Sequence, residues 1–149
     1  MTEPTDDPAL FTFFNEVGII NQLATTQLER ALPDGLRVSH FGVLSHFVRL
    51  GDNKTPLQLA SAFQVTKGAM TNTLQKLEER GLVRIETNPM DGRSKLVTIT
   101  EEGRRVREGA IKSVTPLFAE LTQLIPRSKI DKVLPTLQDV RKILDEARD

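Results

Sequence analysis

The sequence predicts a mainly helical α+β chain whose sheet is a single β-hairpin. Three observations carry this expectation. Apolar residues recur at three-and-four spacing along most of the chain, the period changes to strict alternation between residues 83 and 99, and caps, turns and breakers fall at the borders of these segments. With 149 residues the chain has room for one domain with a real hydrophobic core.

The first helix is expected from Pro8 to Ala31, with Leu10, Phe13, Phe14, Val17, Ile20, Ala24 and Leu28 along one stripe and Leu32-Pro33-Asp34-Gly35 as its stop. Phe11, Ile19 and Leu23 lie off that stripe, and this surplus of apolar surface predicts a partner. Ser39 is placed to cap a second helix carrying Val43, Leu44, Phe47 and Val48, closed by Gly51-Asp52-Asn53. Thr55-Pro56-Leu57-Gln58 joins an N-cap threonine, a proline at the first helical position and a glutamine three residues after the cap, which is a capping box for a short helix to about Phe63. Gln64-Val65 makes a tight turn and Thr66 caps again. Lys67 to Arg80 follow as a helix with Met70, Leu74 and Leu77 inward and Gly81 just past its end.

Alternation then sets in. Val83 and Ile85 oppose Arg84 and Glu86, and Val97 and Ile99 oppose Leu96 and Thr98, with Asn88-Pro89-Met90-Asp91-Gly92-Arg93-Ser94 between them as a polar hairpin tip. Thr100 caps a long helix to about Ile125 that contains Pro116 as an expected kink. A last segment from Ser128 carries Ile130, Val133, Leu137, Val140 and Leu144, and Pro135 is expected to bend or split it.

Charge narrows the function. The formal net charge is zero, but it is unevenly spread: residues 1–36, including Glu3, Asp6 and Asp7, hold one basic side chain against six acidic, residues 37–112 hold thirteen against eight, and residues 113–149 hold six of each. A basic middle behind an acidic segment suits a module that meets phosphate, because affinity for phosphate comes from local surface and not from the total. Without cysteine there is no disulfide, thiolate metal site or thiol switch. The N-terminus lacks a basic region followed by an apolar one, and no stretch approaches a membrane span, so a cytoplasmic protein is expected. An enzyme is disfavoured. His40 and His46 fall on different sides of a helix with no carboxylate to complete a metal triad, Glu78-Glu79 and Glu101-Glu102 are adjacent and diverge, and there is no phosphate-cradling glycine loop. Neither a cofactor nor a metal is expected.

Helix, tight turn, helix and hairpin in this order make a winged helix-turn-helix, whose second helix enters the major groove of double-stranded DNA. With Met70, Leu74 and Leu77 inward, the outward side holds Lys67, Gly68, Thr71, Asn72 and Gln75, with Lys76 at its edge. Asn and Gln can pair bidentately with adenine, Thr can meet a base edge or a thymine methyl, and Lys can reach phosphate or guanine; Gly68 lets the backbone come close. Thr55 joins these as a DNA-binding candidate. In the hairpin tip Asp91 and Gly92 suit a turn, Arg93 can enter a narrow minor groove with Asp91 holding its guanidinium by paired hydrogen bonds, and Ser94 and Lys95 are candidate phosphate contacts.

Leu59-Ala60, Val65-Thr66-Lys67-Gly68 leading to Met70-Thr71, Leu77-Glu78-Glu79-Arg80-Gly81-Leu82-Val83, Asp91-Gly92-Arg93-Ser94 and Ile99-Thr100-Glu101-Glu102-Gly103 together resemble the pattern of the multiple antibiotic resistance regulator (MarR) family, in its order and spacing. The resemblance implies a sequence-specific transcriptional regulator that acts as a homodimer with intertwined terminal helices, Arg93 being the wing arginine and Asp91 its acidic partner. It also implies release of DNA, in many relatives, by a small and often aromatic or phenolic effector. On this reading residues 36–100 form the DNA-binding part, residues 8–35 and 101–149 the dimerisation part, and the protein is a repressor on an inverted-repeat operator with reading helices about 34 Å apart. Phe14, Phe41, Phe47 and Phe118 are the candidates to line an effector pocket. The alternative is a winged-helix module used for protein contacts alone, for which an acidic or apolar reading face is expected; Lys67, Lys76, Arg93 and Lys95 oppose it.

Overall fold

Most element boundaries are set by a few local residues. A computed structural model describes residues 8–148, so that Glu3, Asp6 and Asp7 lie outside the described residues. In order it contains α1 (Pro8–Ala31), α2 (Val38–Leu50), α3 (Pro56–Phe63), α4 (Lys67–Glu79), β1 (Val83–Thr87), β2 (Lys95–Ile99), α5 (Glu101–Leu124) and α6 (Arg127–Glu146). This is the mainly α winged helix-turn-helix that the sequence predicts.

The Thr55 hydroxyl accepts the N–H of Gln58 at 3.1 Å while the Gln58 side chain accepts the N–H of Thr55 at 2.9 Å, closing the capping box. Thr66 accepts the N–H of Ala69 at 3.1 Å at the head of α4, and Thr100 accepts that of Gly103 at 3.0 Å at the head of α5. Each cap satisfies a donor that the first helical turn leaves free, worth about 1 kcal/mol. Gln64 turns the chain between α3 and α4 in the left-handed region, and Gly81, also at positive φ, ends α4. Ser39 does not cap α2. The helix starts two residues earlier than that cap implies, its N-cap is Arg37, and the His40 ring accepts the Arg37 N–H through Nδ1 at 3.2 Å.

The described chain divides within α5 into two compact units, one ending at Val114 and one beginning at Thr115. The first unit holds the core. Val43, Leu44 and Phe47 of α2, Leu59 and Ala60 of α3, Met70, Leu74 and Leu77 of α4, Leu82 before β1, and Val83, Val97 and Ile99 of the hairpin are buried together. β1 and β2 pair antiparallel with Val83 opposite Ile99 and Ile85 opposite Val97, so the alternation read from the sequence puts one face of the hairpin on the core. The sheet gains a contact that periodicity did not predict: Lys54, in the α2–α3 loop, bridges Val97 on the other edge of β2.

Gly103 marks the closest approach in this unit. A Cβ there would collide with the Leu82 carbonyl and come within 2.8 Å of the Ile99 side chain. α1 buries no residue completely and contributes Leu28 and Ala31 to the margin of the core. In the second unit α6 runs unbroken through Pro135, so the expected split does not occur, and Leu137 and Val140 are half-buried. Pro135 removes one backbone donor, and the three-and-four spacing of Ile130, Val133, Leu137 and Val140 continues across it. No helix among the described residues is long and apolar enough to cross a membrane.

Candidate nucleic-acid interface

Burial fixes the rotation of α4. With Met70, Leu74 and Leu77 in the core, Lys67, Gly68, Thr71, Asn72, Gln75 and Lys76 are all exposed. A Cβ added at Gly68 would meet nothing, so a ligand backbone can approach this turn unobstructed.

The helix and the wing open onto one trough of about 730 Å³. Lys67, Thr71 and Gln75 of α4, Thr55 ahead of α3, and Arg93, Ser94 and Lys95 of the wing all line it. Gly68, Asn72 and Lys76 do not line the trough; Lys76 lies close enough to His40 of α2 to help lower that ring's pKa. The trough therefore unites seven of the ten expected DNA-binding residues from three parts of the sequence. Its floor is apolar, formed in part by Leu57, Leu74 and Ile85.

The wing tip is built by its own hydrogen bonds. The Asn88 N–H donates to the Ser94 carbonyl at 3.0 Å, the Asn88 side chain donates to the Ser94 hydroxyl at 3.0 Å and accepts the Met90 N–H at 2.9 Å, and Ser94 N–H donates to the Asp91 carbonyl at 3.1 Å. Asp91 Oδ1 accepts the backbone N–H of Arg93 at 3.1 Å and stands 3.5 Å from its Nε. The ion pair is thus single, where a paired contact was expected. The Arg93 side chain is 96% exposed, and a pair of this kind contributes at most about 1 kcal/mol in water. Asp91 accordingly orients a guanidinium that stays free to exchange water for phosphate or a groove edge. Lys95 Nζ donates to Thr87 across the strands at 3.2 Å.

Two contributors were missed in the sequence. Glu78 Oε2 accepts the N–H of Ile85 at 2.9 Å, tying the last turn of α4 to the wing, and it lines the trough, although in the sequence it stands only as half of an adjacent, diverging pair with Glu79. Nothing local signals that bond. Asn88, the organiser of the tip, could have been found as a side chain that favours turns by bonding its own backbone.

The four phenylalanines fall in different surroundings. Phe47 is a core side chain, 1% exposed, because it shares the inner side of α2 with Val43 and Leu44; it offers no open surface to an effector. Phe41 is half-buried against the core and Phe14 is exposed. Phe118 belongs to the second unit, where it lines a groove with Leu121, Ile125, Arg127 and Ile130. Among the described residues no group of three or more His, Asp or Glu side chains is arranged to hold a metal.

Residues 34–94, from the α1–α2 turn to the wing tip, match the family model described as MarR family. Solved structures extend the likeness to nearly the whole chain. A mutant of MarR from E. coli complexed with operator DNA is 27% identical with a TM-score of 0.79, over 91% of this chain and 99% of that one. A MarR-family transcriptional regulator from Rhodococcus sp. RHA1 is 26% identical with a TM-score of 0.77, over 91% and 96%. CouR from Rhodococcus jostii RHA1, bound to p-coumaroyl-CoA, is 27% identical with a TM-score of 0.71, over 94% and 95%.

Proposed function

The chain belongs to the MarR family, and from that premise we propose that it is a DNA-binding transcriptional regulator, a homodimer that represses by occupying an inverted-repeat operator. The observation that carries this is the shared trough, in which Lys67, Thr71 and Gln75 of α4 and Arg93, Ser94 and Lys95 of the wing face one volume. The reading helix enters the major groove, the wing arginine enters the adjacent minor groove, and the lysines neutralise phosphate. Thr71, Asn72 and Gln75 supply the base contacts, Gly68 permits close approach, Lys76 reaches phosphate from the helix edge, and Thr55 keeps its hydroxyl proton to donate after its oxygen has capped α3. The protein acts by binding and carries out no catalysis.

Dimerisation is supported by exposed apolar side chains on α1, where Phe11 is 78% and Leu23 60% exposed, and on α6, where Ile143 is 65% exposed. A response to a small aromatic or phenolic effector belongs to the same proposal, supported by the similarity to a regulator solved with p-coumaroyl-CoA.

The test is titration of the duplex that the wild-type protein enriches from a randomised pool, at two salt concentrations, beside Arg93→Ala and Gln75→Ala. Two protomers per site are expected. Arg93→Ala should weaken binding across sequences and reduce the salt slope by about one, whereas Gln75→Ala should relax preference at one position by roughly 1–3 kcal/mol. If no duplex is enriched and neither substitution matters, the winged fold serves protein contacts instead.

A further inference from the structure

Three consecutive residues after α2 lie along the base of β2. Lys54 exchanges backbone bonds with Val97, its N–H donating at 3.2 Å and its carbonyl accepting at 2.8 Å. The Asn53 side chain accepts the Thr98 hydroxyl at 3.2 Å, and Asp52 Oδ1 accepts the Ile99 N–H at 2.9 Å. The other oxygen of Asp52 accepts from Nη2 of Arg104, on the first turn of α5, at 3.4 Å. Arg107, one turn later, donates to Ser45 of α2 at 3.1 Å. Asp52 is the single side chain here that grips both the wing strand and α5, and it is largely shielded, with 26% of its side chain exposed.

From this geometry we infer that Asp52 is a positioning residue for the wing: by joining Ile99 to Arg104 it sets the angle at which Arg93 is presented to DNA. The inference rests on the DNA-binding reading proposed above. A five-residue strand spans roughly 16 Å, so the hairpin is a lever with its fulcrum at Ile99 and its cation at the far end. Small freedom at the fulcrum becomes a displacement of ångströms at the tip, and a misplaced cation in a narrow groove loses its contact. Loss of Asp52 leaves the Ile99 donor without its acceptor and Arg104 without its counter-charge, while Arg93, Asp91 and the reading helix are chemically untouched.

The experiment is a double-mutant cycle between Asp52→Ala and Arg93→Ala, read as affinity and salt slope on the same enriched duplex, with the active fraction fixed by stoichiometric titration. Asp52→Ala alone should weaken binding on the order of tenfold and lower the salt slope by about one; in the Arg93→Ala background it should add less than about twofold, since the contact it positions is already gone. Asp52→Asn keeps an acceptor for Ile99 and loses the charge, so it should fall between wild type and Asp52→Ala, and it serves where Asp52→Ala folds poorly. A purely structural role would weaken both backgrounds equally once binding is referred to the active fraction, and that result overturns the inference. So would wild-type affinity in Asp52→Ala while Arg93→Ala still weakens binding, an outcome that leaves the DNA-binding reading intact. Failure of the wild type to enrich any duplex, by contrast, removes both.

Discussion

At the scale of single residues, His40 shows how a charge state is built into the fold. Its ring is buried and Nδ1 accepts a backbone N–H, so the neutral form is the one the cap of α2 uses. Burial, then Arg80, Lys76 and Arg37, hold its pKa below the usual 6.5, against a weaker upward pull from Glu29. His46 is lowered as well, by burial, Lys54 and Arg49. A pKa lower in the folded than in the unfolded chain means that the unfolded chain takes up protons first as pH falls. Stability is therefore full above about 6.5 and is lost as pH drops from there through the folded-state values. Urea unfolding should give a lower midpoint at pH 5.5 than at 7.5, and His40→Gln should narrow the gap; identical wild-type midpoints at the two pH values would falsify this account.

Among elements, the hairpin and α5 meet with no room to spare. Gly103 brings the first turn of α5 against the Leu82 carbonyl, while Thr100 donates its hydroxyl proton to the Gly81 carbonyl at 2.6 Å and accepts from Gly103. Gly103→Ala should destabilise by about 1–3 kcal/mol, because backbone and not a flexible side chain must yield. Thermal denaturation checks it, and a melting temperature equal to wild type would mean that the junction is looser than its geometry indicates. Gly103 was visible beforehand as one letter of a family-like run, but its reason was not, since the collision is with a residue twenty-one positions earlier. The same division holds elsewhere. Caps at Thr55, Thr66 and Thr100 and the alternation of Val83, Ile85, Val97 and Ile99 were legible because their physics is local. The bridge of Lys54 to Val97, the bond of Glu78 to Ile85 and the clasp of Asp52 on Ile99 and Arg104 were not, because each joins segments whose pairing periodicity does not encode. Ser39 misled for the related reason that a histidine one residue later took over as acceptor for the Arg37 N–H.

For the whole molecule the decisive quantity is apolar surface left in water. Ile20 and Leu23 on α1 are each 60% exposed, Phe11 and Leu10 nearer its start are exposed too, and this helix contributes nothing fully buried to the core. Burial against a second copy would recover about 25 cal/mol for each Å² removed from water. Ile20→Glu with Leu23→Glu should thus shift sedimentation velocity from dimer toward monomer at micromolar concentration with little loss of helicity; a variant that sediments as wild type places the interface elsewhere. The route by which chains associate is also constrained by the loop residue beside β2. A two-stranded sheet in water is an invitation to strand addition, since each outer edge carries backbone donors and acceptors that a neighbouring chain can extend into a ladder. On β2 that invitation is withdrawn at Val97, where Lys54 occupies the bonding positions and carries a charge that an incoming strand would have to desolvate. The wing can stay long, exposed and rich in hydrogen-bonding groups without nucleating fibrils along this edge.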